Sequence, residues 1–376
     1  MNKESDLNET PEEVGNSEKV TNLEMDPLIK EKMKKNLVYV SIFSIVMLFA
    51  GLTSAYIVSM GDSFWIKFPL PISFWISTAV IVLSSVFIQL GITFAKKNNQ
   101  KLSKLFVVLT FVFGLLFVYF QYKGYGQLVD SGSHLRGDIM VVDGRYGSIG
   151  DDGRYYGYYE IKYNGKFLEI DGNDYLVDQK KLTSAQFSEL KEFTKQFETI
   201  DNPKDLAVSN YGKSFLLYYK QQPVDLINGK LSLPDSSALK FIDLMRLRDL
   251  AINISAERGD FFMKGKIGKD FHVYFKAKEL DYENRIWKYK GKILDDYLQT
   301  KPLESPDTSS SYLWIITFLH LVHIIFALLY MIRIVNSSLL GRFTSSDTLS
   351  LRLGAIFWHY LAILWLYLLL FLLFIH

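Results

Sequence analysis

The sequence predicts a mainly α membrane protein: a five-helix transmembrane bundle that carries an inserted α+β domain. Three observations predict it. Five long stretches contain no charged residue, basic residues collect in alternate connections, and one large polar block separates the third apolar stretch from the fourth.

Asp, Glu, Lys and Arg are absent from residues 36–61, 68–95, 105–122, 308–332 and 353–376. Each stretch is long enough for roughly 30 Å of helix at about 1.5 Å per residue, the thickness of a bilayer core. A helix on the surface of a soluble core would show a polar stripe over such a length, and these do not. The spans group as 32–122 for the first three helices and 309–376 for the last two. Residues 1–31 form an acidic tail expected to be disordered and cytoplasmic, because it holds too little apolar surface to fold alone. The opening Met1-Asn2-Lys3-Glu4-Ser5 lacks the basic start and short apolar run of a cleavable signal, so the first span is expected to remain uncleaved. The chain has no cysteine, which excludes disulfides, thiolate metal sites and cysteine nucleophiles.

Orientation follows from the connections. Lys30, Lys32, Lys34 and Lys35 precede the first span; Lys96, Lys97, Lys101 and Lys104 join the second to the third; Arg333, Arg342 and Arg352 join the fourth to the fifth. Basic connections stay in the cytoplasm, which places the N-terminus inside and the C-terminus outside. Residues 123–308 then form an extracytoplasmic domain. Asn164-Gly165 between aromatic and β-branched runs predicts a type I′ hairpin. Residues 270–277 alternate like a strand, and 234–250 read as a helix. Thr183 and Gln186, at capping-box spacing, open a further helix over 183–197. The chain shows no internal repeat. With 42 basic and 40 acidic residues it offers no nucleic-acid partner.

Chemistry is concentrated in the membrane histidines. His320 and His323 are three residues apart and share a helix face, and His359 lies in the last span. Three imidazoles are a donor set for copper, zinc or haem iron. The competing reading is packing, each ring bonded to a neighbouring helix or a headgroup. The depths of His323 and His359 differ by roughly 5–10 Å at 1.5 Å per residue, which favours packing. No span contains a carboxylate for a proton relay. Gly51 and Gly114 are expected to permit close helix contact. Gly150-Asp151-Asp152-Gly153 and Asp171-Gly172-Asn173-Asp174 lack the spacing of a calcium loop and read as turns. The run Tyr155-Tyr156-Gly157-Tyr158-Tyr159 reads as a strand entry, with a partner surface as the alternative.

Taken in order, the span motifs resemble cytochrome c oxidase subunit III. His320-Leu321-Val322-His323 is similar to its His-Gly-x-His signature. Trp358-His359-Tyr360 with Trp365-Leu366 is similar to its Trp-His…Trp-Leu signature. Met47–Gly51 with Ser54-Ala55-Tyr56, Trp75-Ile76-Ser77-Thr78, Ser84-Ser85, Gln121 with Tyr125, and Ser311 complete the series. The resemblance covers residues 36–130 and 309–376 and fits the five-helix form of the family; residues 131–308 are an insertion that the usual member lacks. The family's membrane carboxylate falls at Ile45, its Glu paired with Gln121 at Gly124, its Asp after the Trp-His pair at Ala362, and its inter-histidine glycine at Leu321.

The resemblance implies a non-catalytic accessory subunit of a haem–copper terminal oxidase in a bacterial inner membrane, serving aerobic electron transport and proton translocation. Haem and copper would reside in the partner catalytic subunit I and copper-binding subunit II, and none in this chain. Cytochrome c would be a partner of the whole complex, meeting it on the side where the insertion lies. Phospholipid would bind between helix groups, and His320, His323, Trp358, His359, Trp365, Gln121, Ser311 and Trp75 would be structural or lipid-binding residues. Alternatives remain: an accessory subunit of a nitric oxide reductase, a membrane sensor with an extracytoplasmic ligand domain, or a di-histidine haem protein.

Overall fold

A computed structural model describes residues 27–141, 148–149, 155–156, 158–200, 211–227, 229–235, 237–341 and 348–376. Residues 1–26, most of the acidic tail, lie outside them, as does the Gly150–Gly153 cluster.

Five helices are long and apolar enough to cross a membrane. They are α1 (Pro27–Met60), α2 (Ile72–Lys96), α3 (Gln100–Ser131), and, after the insertion, α7 (Thr308–Leu339) and α8 (Leu349–Phe374). The chain is a multi-pass membrane protein with an inserted sheet domain. Its surface fits that solvent: Val40, Phe43 and Val58 of α1 are each more than 60 % exposed, a cost in water but not in hydrocarbon. Asn99 caps α3 by accepting from the Leu102 amide, and Gly132 closes it in the left-handed region at φ 96°. Gly132 must be glycine, because a Cβ would lie 2.1 Å from the Phe262 carbonyl oxygen.

Small residues let the bundle close. A Cβ on Gly114 would meet Leu328 and Trp358 at 2.7 Å, and one on Gly124 would meet the Phe74 ring at 2.3 Å. Gly114 therefore makes the close contact expected of it. Gly51 does not, since nothing lies within 4 Å of where its Cβ would be.

The short connection between α1 and α2 is a strand, β1 (Phe64–Lys67), and it belongs to the insertion's sheet. It pairs antiparallel with β13 (His272–Phe275), followed by β14 (Lys278–Glu283), β15 (Ile286–Tyr289) and β16 (Lys292–Ile293). Phe64, Val273, Leu280 and Trp287 join one continuous apolar cluster with bundle residues such as Tyr56, Leu313 and Trp365. This lobe is fused to the bundle. A helix α6 (Asp296–Thr300) and a 3₁₀ turn (Lys301–Glu304) lead from it into α7.

The rest of the insertion has a separate core. Strands β4 (Tyr159–Tyr163), β5 (Lys166–Phe167), β9 (Phe215–Tyr219) and β10 (Gln222–Pro223) form one sheet in the order β10-β9-β4-β5. Strands β6 (Glu169–Asp171), β7 (Asp174–Val177) and β8 (Lys180–Lys181) form another, and β11 (Asp225–Ile227) pairs with β12 (Lys230–Ser232). Two residue pairs, Ser148–Ile149 and Tyr155–Tyr156, are strands β2 and β3 and pair with each other. Helices α4 (Ser184–Lys195) and α5 (Phe241–Ser255) cover the second core.

The capping box that the sequence predicts is present: Thr183 accepts from the Gln186 amide, and the Gln186 side chain accepts from the Thr183 amide. The helix expected over 234–250 begins instead after Lys240. Asp235 accepts from the Ser237 amide in an Asx turn and Ser232 bridges Ala238, contacts that hold these residues out of the helix. The hairpin at Asn164-Gly165 has both residues at positive φ, 47° and 85°. Five more two-residue turns share that pattern: Asp178-Gln179, Lys220-Gln221, Lys276-Ala277, Asn284-Arg285 and Lys290-Gly291. A side chain in that region costs roughly 1–2 kcal/mol, accepted here because the primed turn matches the right-handed twist of the strands it joins.

Asn173 clamps the two lobes. Its amide donates to the carbonyls of Met263 and Gly265 (2.5 and 3.0 Å), and its oxygen accepts from the amides of Gly259 and Phe261 (3.0 and 3.2 Å). Asp171 accepts from the Arg285 amide at 3.3 Å. Asp171–Asp174 is the turn that joins β6 to β7, and oxygens of Asp171 and Asn173 face backbone donors there. Beside it Asp260, almost wholly buried, pairs with Arg285 at 2.5 Å and accepts from Tyr282 at 3.0 Å. Replacing Asn173 with Ala strands two amides and two carbonyls and is expected to cost about 2–4 kcal/mol. Denaturation of the full chain, with hydrogen exchange over 259–265, measures it. Asn173→Asp is expected to be no better, because it loses both donors and points charge at two carbonyl oxygens.

Candidate functional site: a polar ladder inside the bundle

Four of the side chains singled out in the sequence, Gln121, Trp358, His359 and Trp365, converge on α2. Ser77, Thr78, Ser84 and Ser85 stand along it, and each meets a nitrogen or amide from another helix. Gln121 of α3 donates Nε2 to Ser77 Oγ at 2.9 Å. Trp365 of α8 donates Nε1 to Thr78 Oγ1 at 2.8 Å, and Trp358 donates Nε1 to Ser84 Oγ at 3.0 Å. His359 Nδ1 pairs with Ser85 Oγ at 2.5 Å, and its Nε2 reaches Gln89 at 3.4 Å.

Three of these hydroxyls are used twice. Ser77 and Thr78 donate to the Phe74 carbonyl, and Ser84 donates to the Thr110 carbonyl of α3. Each Oγ thereby gives its proton to a carbonyl and takes one from an indole or amide. In lipid no water completes such bonds, so the donors of α3 and α8 are held to fixed heights on α2. Ser84 alone joins three helices.

His320 is different. It is fully buried on α7, its ring stacked on Trp365 at 5.3 Å and edge-on to Phe117 at 6.0 Å. Neither ring nitrogen has a hydrogen-bond partner among the described residues, and the same holds for Gln121 Oε1 and the Tyr125 hydroxyl. Tyr125 stacks on Trp314 at 4.9 Å. His323, one turn on, returns its Nδ1 to the Leu319 carbonyl at 2.7 Å and lies against Phe49 of α1. The three histidines are therefore engaged with three different helices. Among the described residues no group of three or more His, Cys, Asp or Glu is placed to hold a metal ion.

Ser311 lies on the first turn of α7 and donates to the carbonyls of Leu135 and Asp307 (2.8 and 3.0 Å), tying the helix to the start of the insertion. Trp75 stands apart from the ladder on the face of α2 that is open to lipid, 45 % exposed. Gly124, where the resembled family has a Glu, has no room for one against Phe74. A groove of about 490 Å³ between α1 and α8 is lined by Leu37, Val40, Ser41, Ser44, Ile45 and Phe357.

Two site residues escape sequence reasoning. His376 is buried at the insertion-side end, where Nδ1 pairs with the Tyr56 hydroxyl at 2.7 Å and its ring sits edge-on to Phe68 at 4.7 Å. Asp307 caps α7, accepting from the Ser310 amide at 3.0 Å. The signal for it was local: an acid three residues before Ser310 at the edge of an apolar run. Burial pushes its carboxyl up to about 6, against its bonds from Ser310 and Ser309.

No family model matches the chain, and a search of the curated proteins returns no match.

Replacing His320 with Phe removes two unpaired nitrogens while keeping the stack, and is expected to raise stability by about 1–3 kcal/mol. Trp358→Phe leaves Ser84 without its donor and is expected to cost about 1 kcal/mol. Unfolding of the detergent-solubilised chain reads both. Asp307 holds its proton more tightly folded than unfolded, so stability falls as pH rises from about 4 to about 6, by on the order of 2–3 kcal/mol, and is flat above. Asp307→Asn is expected to abolish that slope, measured as the unfolding midpoint against pH.

Proposed function

We propose that this chain is a non-catalytic accessory subunit of a haem–copper terminal oxidase in a bacterial inner membrane, related to cytochrome c oxidase subunit III. The observation that carries the reading is the ladder itself. The residues of the resemblance, Gln121, Trp358, His359 and Trp365, meet the hydroxyls of one helix, Ser77, Thr78, Ser84 and Ser85. Such an arrangement holds helices at fixed heights, which supports a scaffolding role. The groove between α1 and α8 is apolar and supports an acyl-chain site of the kind the family uses. Departures at Ile45, Gly124 and Ala362 remove the family's membrane acids, so the contribution lies in assembly, lipid retention and sustained turnover. The basic connections support an insertion on the extracytoplasmic side.

A second reading, a membrane sensor, is favoured by the separate core of the outlying lobe, which gives the insertion a unit of its own. One experiment separates the two. Gentle detergent extraction with mass spectrometry of co-eluting chains is expected to recover an oxidase catalytic subunit and a copper-binding subunit, with a haem spectrum. Recovery with a nitric oxide reductase moves the role to that complex. A colourless chain eluting alone sinks the accessory role and favours the sensor.

A further inference from the structure

The bundle-fused sheet ends in a rim of lysines stacked on aromatic rings. Two hairpin tips, Lys276-Ala277 and Lys290-Gly291, lie at the same end of the sheet, because β13 and β15 run in the same direction. Lys276 lies over Phe275 and Lys278 over Tyr289, at 5.5 and 5.2 Å. Lys290 lies over Tyr289 at 5.5 Å, and Lys301 over Phe275 and Tyr297 at 5.6 and 5.2 Å. None of these four lysines is in an ion pair among the described residues. Asp62, Asp295, Asp296 and Glu304 occur on adjoining segments, and Asp295 is occupied in capping the Leu298 amide.

The place of the rim is set by β1. Phe275 pairs with and stacks on Phe64, ring centroids 4.6 Å apart, and Phe64 follows Met60, the last residue of α1, by four positions. Four residues span at most about 15 Å, and the lysine side chains extend beyond the tips. The last turn of α1 presents Ile57 and Val58 outward, and the rim adds Ile293 and Tyr297, each over 60 % exposed. Ammonium groups above rings, beside exposed apolar side chains, at the end of a lipid-facing helix, match the composition of a membrane–water interface.

We propose that Lys276, Lys278, Lys290 and Lys301 bind the anionic phospholipid headgroups of the leaflet on the insertion side, with Ile293 and Tyr297 entering the interface beneath them. The rim is anchored independently of any partner subunit. It adds a second attachment of the insertion to the membrane, beyond its chain connections to α3 and α7.

The test uses the full chain in nanodiscs of phosphatidylcholine alone or with about 30 mol % phosphatidylglycerol, read by amide hydrogen exchange. Exchange over 276–279 and 288–292 is expected to slow about fivefold or more in the anionic discs and to recover at about 500 mM salt. The quadruple variant Lys276→Gln, Lys278→Gln, Lys290→Gln, Lys301→Gln is expected to lose the effect, and the matching Lys→Arg set to retain it. Equal exchange in the two discs, or slowing that persists in the Gln variant, overturns the proposal. Protection that appears only on adding co-purified protein subunits also overturns it, assigning the rim to an acidic protein surface.

Discussion

The architecture depends on one constraint: a polar group inside a lipid-embedded bundle is costly unless it finds a partner on another helix or on its own backbone. The α2 hydroxyls meet that constraint for the indoles of Trp358 and Trp365 and the amide of Gln121. Each hydroxyl also gives its own proton to a carbonyl, so each serves as donor and acceptor at once. The individual bonds are modest, on the order of 1 kcal/mol, because the separated helices also find partners in lipid. Their effect is on position. A hydroxyl fixed to a helix selects the height at which the neighbouring helix binds, and Gly114 and Gly124 let the backbones approach closely enough for that selection to act.

A second coupling joins membrane and insertion. With β1 lying between the first two spans and pairing with β13, the bundle and the sheet share one apolar cluster. Ser309 at the start of α7 donates to the Ile66 carbonyl, so the strand is tied to the fourth span as well. The outlying lobe attaches through Asn173 and the buried Asp260–Arg285 pair. That pair would be costly if either partner were lost, since a charge would remain buried and unmatched.

The spans were legible because charge-free runs of that length have few other uses, and the Thr183 cap and Asn164-Gly165 turn because both signals are local. The strand at 64–67 was not legible: four residues between two spans look like a tight loop until their partner strand at 272–275 is placed beside them. Five of the six primed turns lacked the usual Asn-Gly, since strand pairing rather than turn residues imposes them. In the site, histidine spacing drew attention to a shared face, yet His320, His323 and His359 bond or stack with different helices. Equal spacing along a helix says nothing about which neighbour each ring meets.

The sequence by itself determined which segments lie in lipid, which side the basic connections favour, and that a folded polar domain interrupts the bundle. These follow from transfer free energy, a sum over residues that needs no coordinates. Only the tertiary structure decided that the insertion has two lobes, that one shares the bundle's core, and that His320 is enclosed by Trp365 and Phe117 with neither nitrogen hydrogen-bonded among the described residues. Those outcomes depend on contacts between residues distant in the chain, where packing and hydrogen-bond geometry act and composition is silent.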